Sequence, residues 1–272
     1  LPSARLLGVR VDRVTLDRAV DVIGGFIRAG GAHQVVTLNG AMLARAASDP
    51  IVRDLVDRAS LVTADGAGVV LAGRILGVTL PERIPGIDMI DRLCAAGAAS
   101  GLRMFLLGAR PGVADEAATA MKRSYRGVNI VGTRHGYFPD HDDAAVTEQI
   151  RLSRPHVLLV AMGFPRQEQW IRTHLAALGT PVCIGVGGTF DVLAGRTARA
   201  PRWMQRAGLE WMYRLLREPR RWRTAAALPV LIWLALRERL FGVKTGKTGA
   251  TEKTGKTKVG STESPSEGGD AD

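Results

Sequence analysis

The chain has 272 residues, 46% of them apolar, a net charge of +11 and only two cysteines. This composition excludes a disulfide-stapled secreted module and a wholly disordered chain, and it fits one large domain or two small ones. The charge is uneven: residues 202–241 hold nine arginines against three glutamates, whereas residues 242–272 hold five lysines against five acids.

Residues 5–13 alternate charged and apolar side chains, which predicts a strand over 7–11 rather than the apolar run of an exported segment. Further strands are predicted over 34–38, 61–64, 104–107, 129–132, 157–161 and 182–186, with helical patterns between them. Asp49-Pro50 is a helix start, a capping residue followed by proline at the first helical position. Another helix begins near Pro165 and runs through Gln169, Trp170 and Leu175. The alternation predicts an α/β fold: a Rossmann-like, mostly parallel sheet with helices on both faces. Cys94 and Cys183 lie far apart in apolar surroundings and read as free buried thiols in a reducing cytosol.

After Arg199-Ala200-Pro201 the character changes. Trp203, Met204, Leu209, Trp211, Met212, Leu215 and Leu216 recur at helical spacing among arginines. Residues 225–236 are uncharged and apolar, interrupted by Pro229. As a helix they reach about 18 Å, short of a hydrocarbon core of about 30 Å. One reading is a buried core helix. The other is an interfacial helix, with Trp222 and Trp233 at headgroup level and Arg220, Arg221, Arg223, Arg237 and Arg239 on anionic phosphates. From Gly242 onward apolar residues nearly vanish, which predicts a disordered tail. The expected organisation is an α/β domain over 1–200, a basic amphipathic helical appendage over 201–241 and the tail over 242–272.

Several strands run straight into glycine: at Gly108, at Gly163, and at Gly185-Val186-Gly187-Gly188. In open α/β sheets ligands bind beyond the carboxyl ends of strands. Glycine there lets backbone N–H groups approach a phosphate, and a helix N-terminus adds partial positive charge. A phosphorylated ligand is therefore expected. The GxGxxG fingerprint is absent, and the strand after the Gly108 loop ends in Thr133-Arg134 with no acid for a ribose. An NADP-type oxidoreductase using Arg134 is one alternative, and a non-catalytic peripheral membrane adaptor is another.

Two more strands end in polar side chains, Thr37-Leu38-Asn39 and Ala64-Asp65-Gly66. Asp65 is a candidate general base or a helix cap. Arg83, in a loop held by Pro81 and Pro85, places a guanidinium near the same rim. The acidic run Asp140-His141-Asp142-Asp143 reads as a solvated loop and helix cap, and the histidines show no metal-ligand spacing. Only His135, beside Tyr137, is placed near the pocket. No metal and no cofactor are expected. The arginines of 202–241 flank tryptophan-containing apolar runs and form no recognised nucleic-acid motif.

These segments resemble the WecG/TagA/CpsF family of bacterial glycosyltransferases. The resemblance rests on Thr37-x-Asn39, Ala64-Asp65-Gly66, Arg83-x-Pro85-Gly86-x-Asp88, Gly163-x-Pro165-x-Gln167-Glu168 and Gly185-Val186-Gly187-Gly188-x-Phe190-Asp191. Ala194-Gly195, Arg199-Ala200-Pro201 and Glu210-Trp211-x-Tyr213-Arg214-x-x-x-Glu218-Pro219-x-Arg221 extend it to about residue 240. It implies an inverting transferase that moves a sugar from a UDP-sugar donor to an undecaprenyl-diphosphate-linked acceptor in cell-surface polysaccharide synthesis; the donors it implies are UDP-N-acetylmannosamine, its uronic acid or UDP-glucose, with the N-acetylmannosamine type preferred. By this resemblance Asp65 is the base, and Thr37, Asn39, Arg83 and Gln167 are its companions. Asp191 and the Gly187-Gly188 turn belong to the nucleotide pocket, and Arg214 and Arg221 meet diphosphate. The implied partners are the donor, the lipid-linked acceptor and an anionic membrane surface, with no nucleic acid; a homo-oligomer is compatible with this reading. The implied location is cytoplasmic and peripheral, on the inner face of the cell membrane.

Overall fold

The chain reverses on itself before its first parallel strand. In the computed structural model, which describes residues 1–217 and 222–242, β1 (Ser3–Leu6) and β2 (Val9–Asp12) form an antiparallel hairpin. Leu7 and Gly8 both take positive φ at the turn, 52° and 77°. The single strand expected over 7–11 is therefore one turn and one arm of a hairpin, because Gly8 permits the left-handed turn that reverses the chain. Asp12, almost fully buried, accepts from Val62 N at 2.8 Å and from the Arg10 guanidinium, fastening the hairpin to the main sheet.

The doubly wound part then follows. It begins with α1 (Leu16–Ala29), β3 (His33–Leu38), α2 (Gly40–Ser48), α3 (Pro50–Asp57), β4 (Leu61–Ala64) and α4 (Ala67–Ile75). The predicted cap at Asp49 is present: its Oδ1 accepts from Ile51 N and Val52 N. Next come α5 (Gly86–Ser100), β5 (Arg103–Gly108), α6 (Val113–Ser124) and β6 (Asn129–Arg134). After a 3₁₀ turn (Asp140–Asp142) the chain runs through α7 (Asp143–Ser153), β7 (Val157–Ala161), α8 (Arg166–His174), β8 (Val182–Gly185) and α9 (Thr189–Leu193). The six strands pair in parallel in the order β4-β3-β8-β7-β5-β6.

Period-2 alternation divides the buried strand residues between two faces. Val35, Met104, Leu106 and Leu159 pack with residues of α1, α5 and α6. Leu38 and Val62, with Met42 and Val52, meet the hairpin on the other face, and Phe105, Leu107 and Val160 pack there under α7 and α8. Both faces are covered, so the strands read as nearly continuous apolar runs. Cys94 and Cys183 are buried and free, and burial pushes both thiols up, Cys94 to about 12.

The C-terminal helices α10 (Arg202–Arg206), α11 (Glu210–Arg217) and α12 (Trp222–Phe241) join the α/β part in one compact unit, Leu1–Gly242. Arg199, just ahead of them, is held at 2.5 Å by Asp88 in the first turn of α5. Leu231 and Ala235, one helical turn apart, are fully buried, and α12 packs on α2 and α4. The opposite side of α12 is open: Val230, Trp233, Leu240 and Phe241 are exposed. The apolar run predicted as either core or interface thus has a buried edge and an exposed edge. No described helix is long and apolar enough to cross a membrane. Arg220 and Arg221, and residues 243–272 of the expected tail, lie outside the described residues, as do the side chains of Arg214, Trp222 and Arg223.

Candidate active site

Register aligns the strand ends: Leu38 sits beside Ala64, and Val36 beside Gly185. The segments leaving β3, β4, β7 and β8 consequently converge on one edge of the sheet. They enclose a cavity of about 260 Å³. Thr37, Asn39, Asp65, Arg83, Gln167, Gly187 and Gly188 all line it. These residues are up to 151 positions apart in sequence, between Thr37 and Gly188, and the parallel topology alone brings them together.

Each is positioned by the backbone around it. Thr37 Oγ1 donates to Gly185 O at 2.9 Å, stitching β3 to β8 at the cavity floor. Asn39 Oδ1 accepts from Ala41 N and Met42 N, so Asn39 caps α2 while facing the cavity. Asp65 N donates to Leu38 O at 2.8 Å, which holds the residue at the β3–β4 edge. Gly66, not Asp65, occupies the cap position of α4, with φ 94°. The helix-cap reading of Asp65 therefore does not describe its place here.

The N-termini of α4 and α5 reach the cavity through Gly66, Ala67, Gly86 and Ile87, and neither carries a side-chain cap. First-turn N–H groups without a cap suit an anion, aided by the helix dipole. The Arg83 guanidinium reaches the same cavity, 3.1 Å from Glu210 Oε2.

Gln167 organises the wall between β7 and β8. Its Oε1 accepts from Gly163 N at 3.2 Å and from Gly187 N at 3.0 Å, clamping two glycine loops with one amide. Its Nε2 donates to Glu168 Oε1 at 2.7 Å. Glu168 is fully buried, its Oε2 has no hydrogen-bond partner, and desolvation pushes its carboxyl up to about 7 despite the Gln167 bond.

Other predicted residues lie outside the cavity lining. Gly108 closes the end of β5 against β7, where a Cβ would come within 2.4 Å of Ala161 O. Gly163 is one step removed, through its bond to Gln167. Asp191 sits on α9, where its carbonyl accepts from Thr197 N. Tyr137 is 65% exposed beyond β6, and Tyr137 N donates to His135 Nδ1. β6 is an edge strand, separated by β5 from β7, the nearest of the strands that build the cavity. Arg214 belongs to α11, with its side chain outside the description, and Arg221 is outside it altogether.

Among the described residues no three His, Cys, Asp or Glu side chains are grouped to hold a metal ion. Asp143 of the acidic run accepts from Trp170 Nε1 at 2.7 Å and lies 3.6 Å from His174 Nε2. Sequence reasoning on single residues missed the roof of the cavity: Glu210, Trp211 and Leu215 from α11 and Leu228 from α12. The only local signal was the Glu210-Trp211 pair in the appendage. Glu168 was signalled just as weakly, as the neighbour of Gln167.

The model of the glycosyl transferase WecG/TagA/CpsF family matches residues 4–245. Similar curated proteins come from Staphylococcus aureus strains MW2, NCTC 8325 and COL. Each is 34% identical over 230 residues, covering 84% of this chain and 90% of the relative. Each of those relatives is named N-acetylglucosaminyldiphosphoundecaprenol N-acetyl-beta-D-mannosaminyltransferase.

Proposed function

Since the chain belongs to the WecG/TagA/CpsF glycosyltransferase family, we propose that it transfers N-acetylmannosamine from its UDP derivative to N-acetylglucosaminyl-diphospho-undecaprenol, with inversion, in cell-surface polysaccharide synthesis. The observation that carries the reading is the convergence of Asp65, Arg83 and two uncapped helix N-termini on one cavity at the carboxyl edge of the sheet. The oxidoreductase and adaptor readings gain no support from the family or from the relatives.

In this mechanism the Asp65 carboxylate takes the proton of the acceptor hydroxyl as the oxygen attacks the anomeric carbon. The bond from that carbon to the UDP oxygen breaks on the opposite side, and the electron pair leaves with UDP. Arg83 and the N–H groups at the starts of α4 and α5 offset the growing phosphate charge. Thr37 and Gln167 hold the floor and wall, and Asn39 fixes the start of α2. Gly187, Gly188 and Asp191 are proposed for the nucleotide side, and Arg214 and Arg221 for the acceptor diphosphate. The exposed edge of α12, with Val230, Leu240 and Phe241 near Arg237 and Arg239, is proposed to rest on an anionic membrane, on its inner face.

The test is a panel of UDP-sugars incubated with a short-chain diphospholipid-sugar acceptor and scored by product mass. Formation of the N-acetylmannosaminyl product at the fastest rate is expected. A folded protein that transfers no sugar from any UDP donor overturns the reading.

A further inference from the structure

A second hollow adjoins the cavity. α11 and α12 touch each other and leave an apolar groove lined by Trp211 and Leu215 on one side and Leu228, Ile232, Trp233 and Leu236 on the other. No lining residue is charged or polar at its tip except for the two indoles. Trp211, Leu215 and Leu228 line both hollows, so one wall serves the polar cavity and the apolar groove. Along α12 the groove runs from Ala226 to Leu236, a length of about 15 Å at the helical rise. Trp211 is 41% exposed and Trp233 58%, so apolar surface is left uncovered by the described residues.

We propose that this groove seats the first isoprene units of the acceptor's lipid, a conclusion that rests on the acceptor class proposed above. The argument is one of covalent connectivity. The sugar to be extended must reach Asp65, its diphosphate follows, and the hydrocarbon is bonded directly to that diphosphate. A chain leaving the cavity on the side of α11 and α12 meets this apolar wall first. The hollow is open along one side and apolar throughout, so a branched hydrocarbon can lie along it between the two helices. Val230, Leu240 and Phe241, exposed on α12 and outside the groove lining, are left for the bilayer. Burying several methyl-branched units against indole and aliphatic side chains favours binding in proportion to the area covered. The acceptor would therefore be recognised partly through its lipid, without a membrane.

The test uses the full chain without vesicles and with acceptors below their micelle concentrations. N-acetylglucosaminyl diphosphates carrying a methyl, an octyl or a farnesyl group are compared for KM. The farnesyl acceptor is expected to bind at least about tenfold more tightly than the methyl one. In Ile232→Ser and Leu236→Ser, which change the groove and not the cavity lining, that ratio is expected to fall towards one. Equal KM values for the three acceptors, or a ratio unchanged in both variants, overturn the proposal. So does a length effect that appears only when vesicles are added, since that assigns the surface to the membrane. A second readout does not depend on transfer: indole emission titrated with farnesyl diphosphate and with methyl diphosphate. A farnesyl-specific response that Trp233→Phe reduces is expected. If no acceptor is glycosylated, the proposed function fails, and this titration alone judges the groove, with no farnesyl-specific response overturning it.

Discussion

Arg83 Nη1 lies 3.1 Å from Glu210 Oε2, joining the loop ahead of α5 to the first residue of α11 across the cavity they both line. The pair gives Arg83 two separable tasks, tethering α11 and presenting positive charge to phosphate. Glu210→Ala removes the tether and leaves the guanidinium, so kcat/KM should fall about tenfold. Arg83→Ala removes the charge as well and should cost on the order of 10²-fold. The loss in the double variant should fall short of the product of the two single losses, because both single changes break the same tether. Steady-state kinetics on the four proteins checks this. Equal losses in the two single variants would reduce Arg83 to a tether.

Asp65 stands at the β3–β4 edge, held there by its own N–H on Leu38 O. Asp65→Asn keeps the shape and removes the base. Turnover should drop by roughly 10²-fold or more, the scale of general base catalysis, while UDP binding measured by calorimetry stays within about twofold. Near-normal turnover would remove Asp65 from the role.

What the sequence disclosed follows a physical line. Strand ends and their glycines were legible because apolar runs and turn residues are local signals; Thr37, Asn39 and Asp65 sit on them, and Gln167 stands in the first turn of the helix that follows the Gly163 turn. Sheet order is not local. Tyr137 follows a strand just as Gly163 does, yet β6 is an edge strand and β7 is central, so only Gly163 approaches the cavity. The hairpin escaped because Leu7 adopts a left-handed φ that only the reversal at Gly8 demands. The seat of α12 escaped for a similar reason: Leu231 packs against Gly40 and Gly68, which its own segment does not announce.

Gly185 tests the clamp made by Gln167. A Cβ at residue 185 would lie 2.7 Å from Gln167 Nε2 and 2.8 Å from Glu168 Oε1. Both side chains are buried and hydrogen-bonded, so they cannot swing aside cheaply. Gly185→Ala should lower stability by about 1–3 kcal/mol, the range for overpacking, and should also cut turnover as Gly163 and Gly187 lose their shared acceptor. Thermal melts and kcat together check it. A stable, fully active variant would show the clamp to be dispensable.

Glu168 makes stability depend on pH. Its folded pKa, about 7, lies above its ordinary value of 4.5, so between those pH values the folded state holds a proton that the unfolded state has lost. Stability contributed by this group is therefore present at low pH and is lost as pH rises towards 7, by a total on the order of 3 kcal/mol. Urea unfolding at pH 5 and pH 8 should show wild type losing about that much more than Glu168→Gln, whose side chain does not titrate. Parallel pH profiles would assign Glu168 an ordinary pKa.

The last prediction concerns how α12 reaches the catalytic edge. Gly40 begins α2 just past Asn39, Gly68 is the second residue of α4, three past Asp65, and their Cα atoms form a shallow notch. A Cβ at Gly68 would meet Leu228 Cδ1 at 3.2 Å and Leu231 Cδ2 at 3.5 Å, and one at Gly40 would meet Leu231 Cδ2 at 3.3 Å. Leu231 is fully buried in that notch. Two glycines thus let a helix of the appendage lie directly over the residues proposed to do the chemistry. Gly68→Val fills the notch and must lever α12 outward, because the valine methyl groups extend beyond a Cβ that is already tight. Leu231→Ala instead empties it, at a cost of about 2–5 kcal/mol for a buried leucine. Gly68→Val should keep the α/β sheet and UDP binding and lose transfer by at least about tenfold, since Trp211 and Leu228 leave the cavity roof. Limited proteolysis should cut near α12 faster in Gly68→Val than in wild type. If Gly68→Val transfers sugar at the wild-type rate while proteolysis shows α12 released, then α12 is not needed over the active site, and the roof has no part in the reaction.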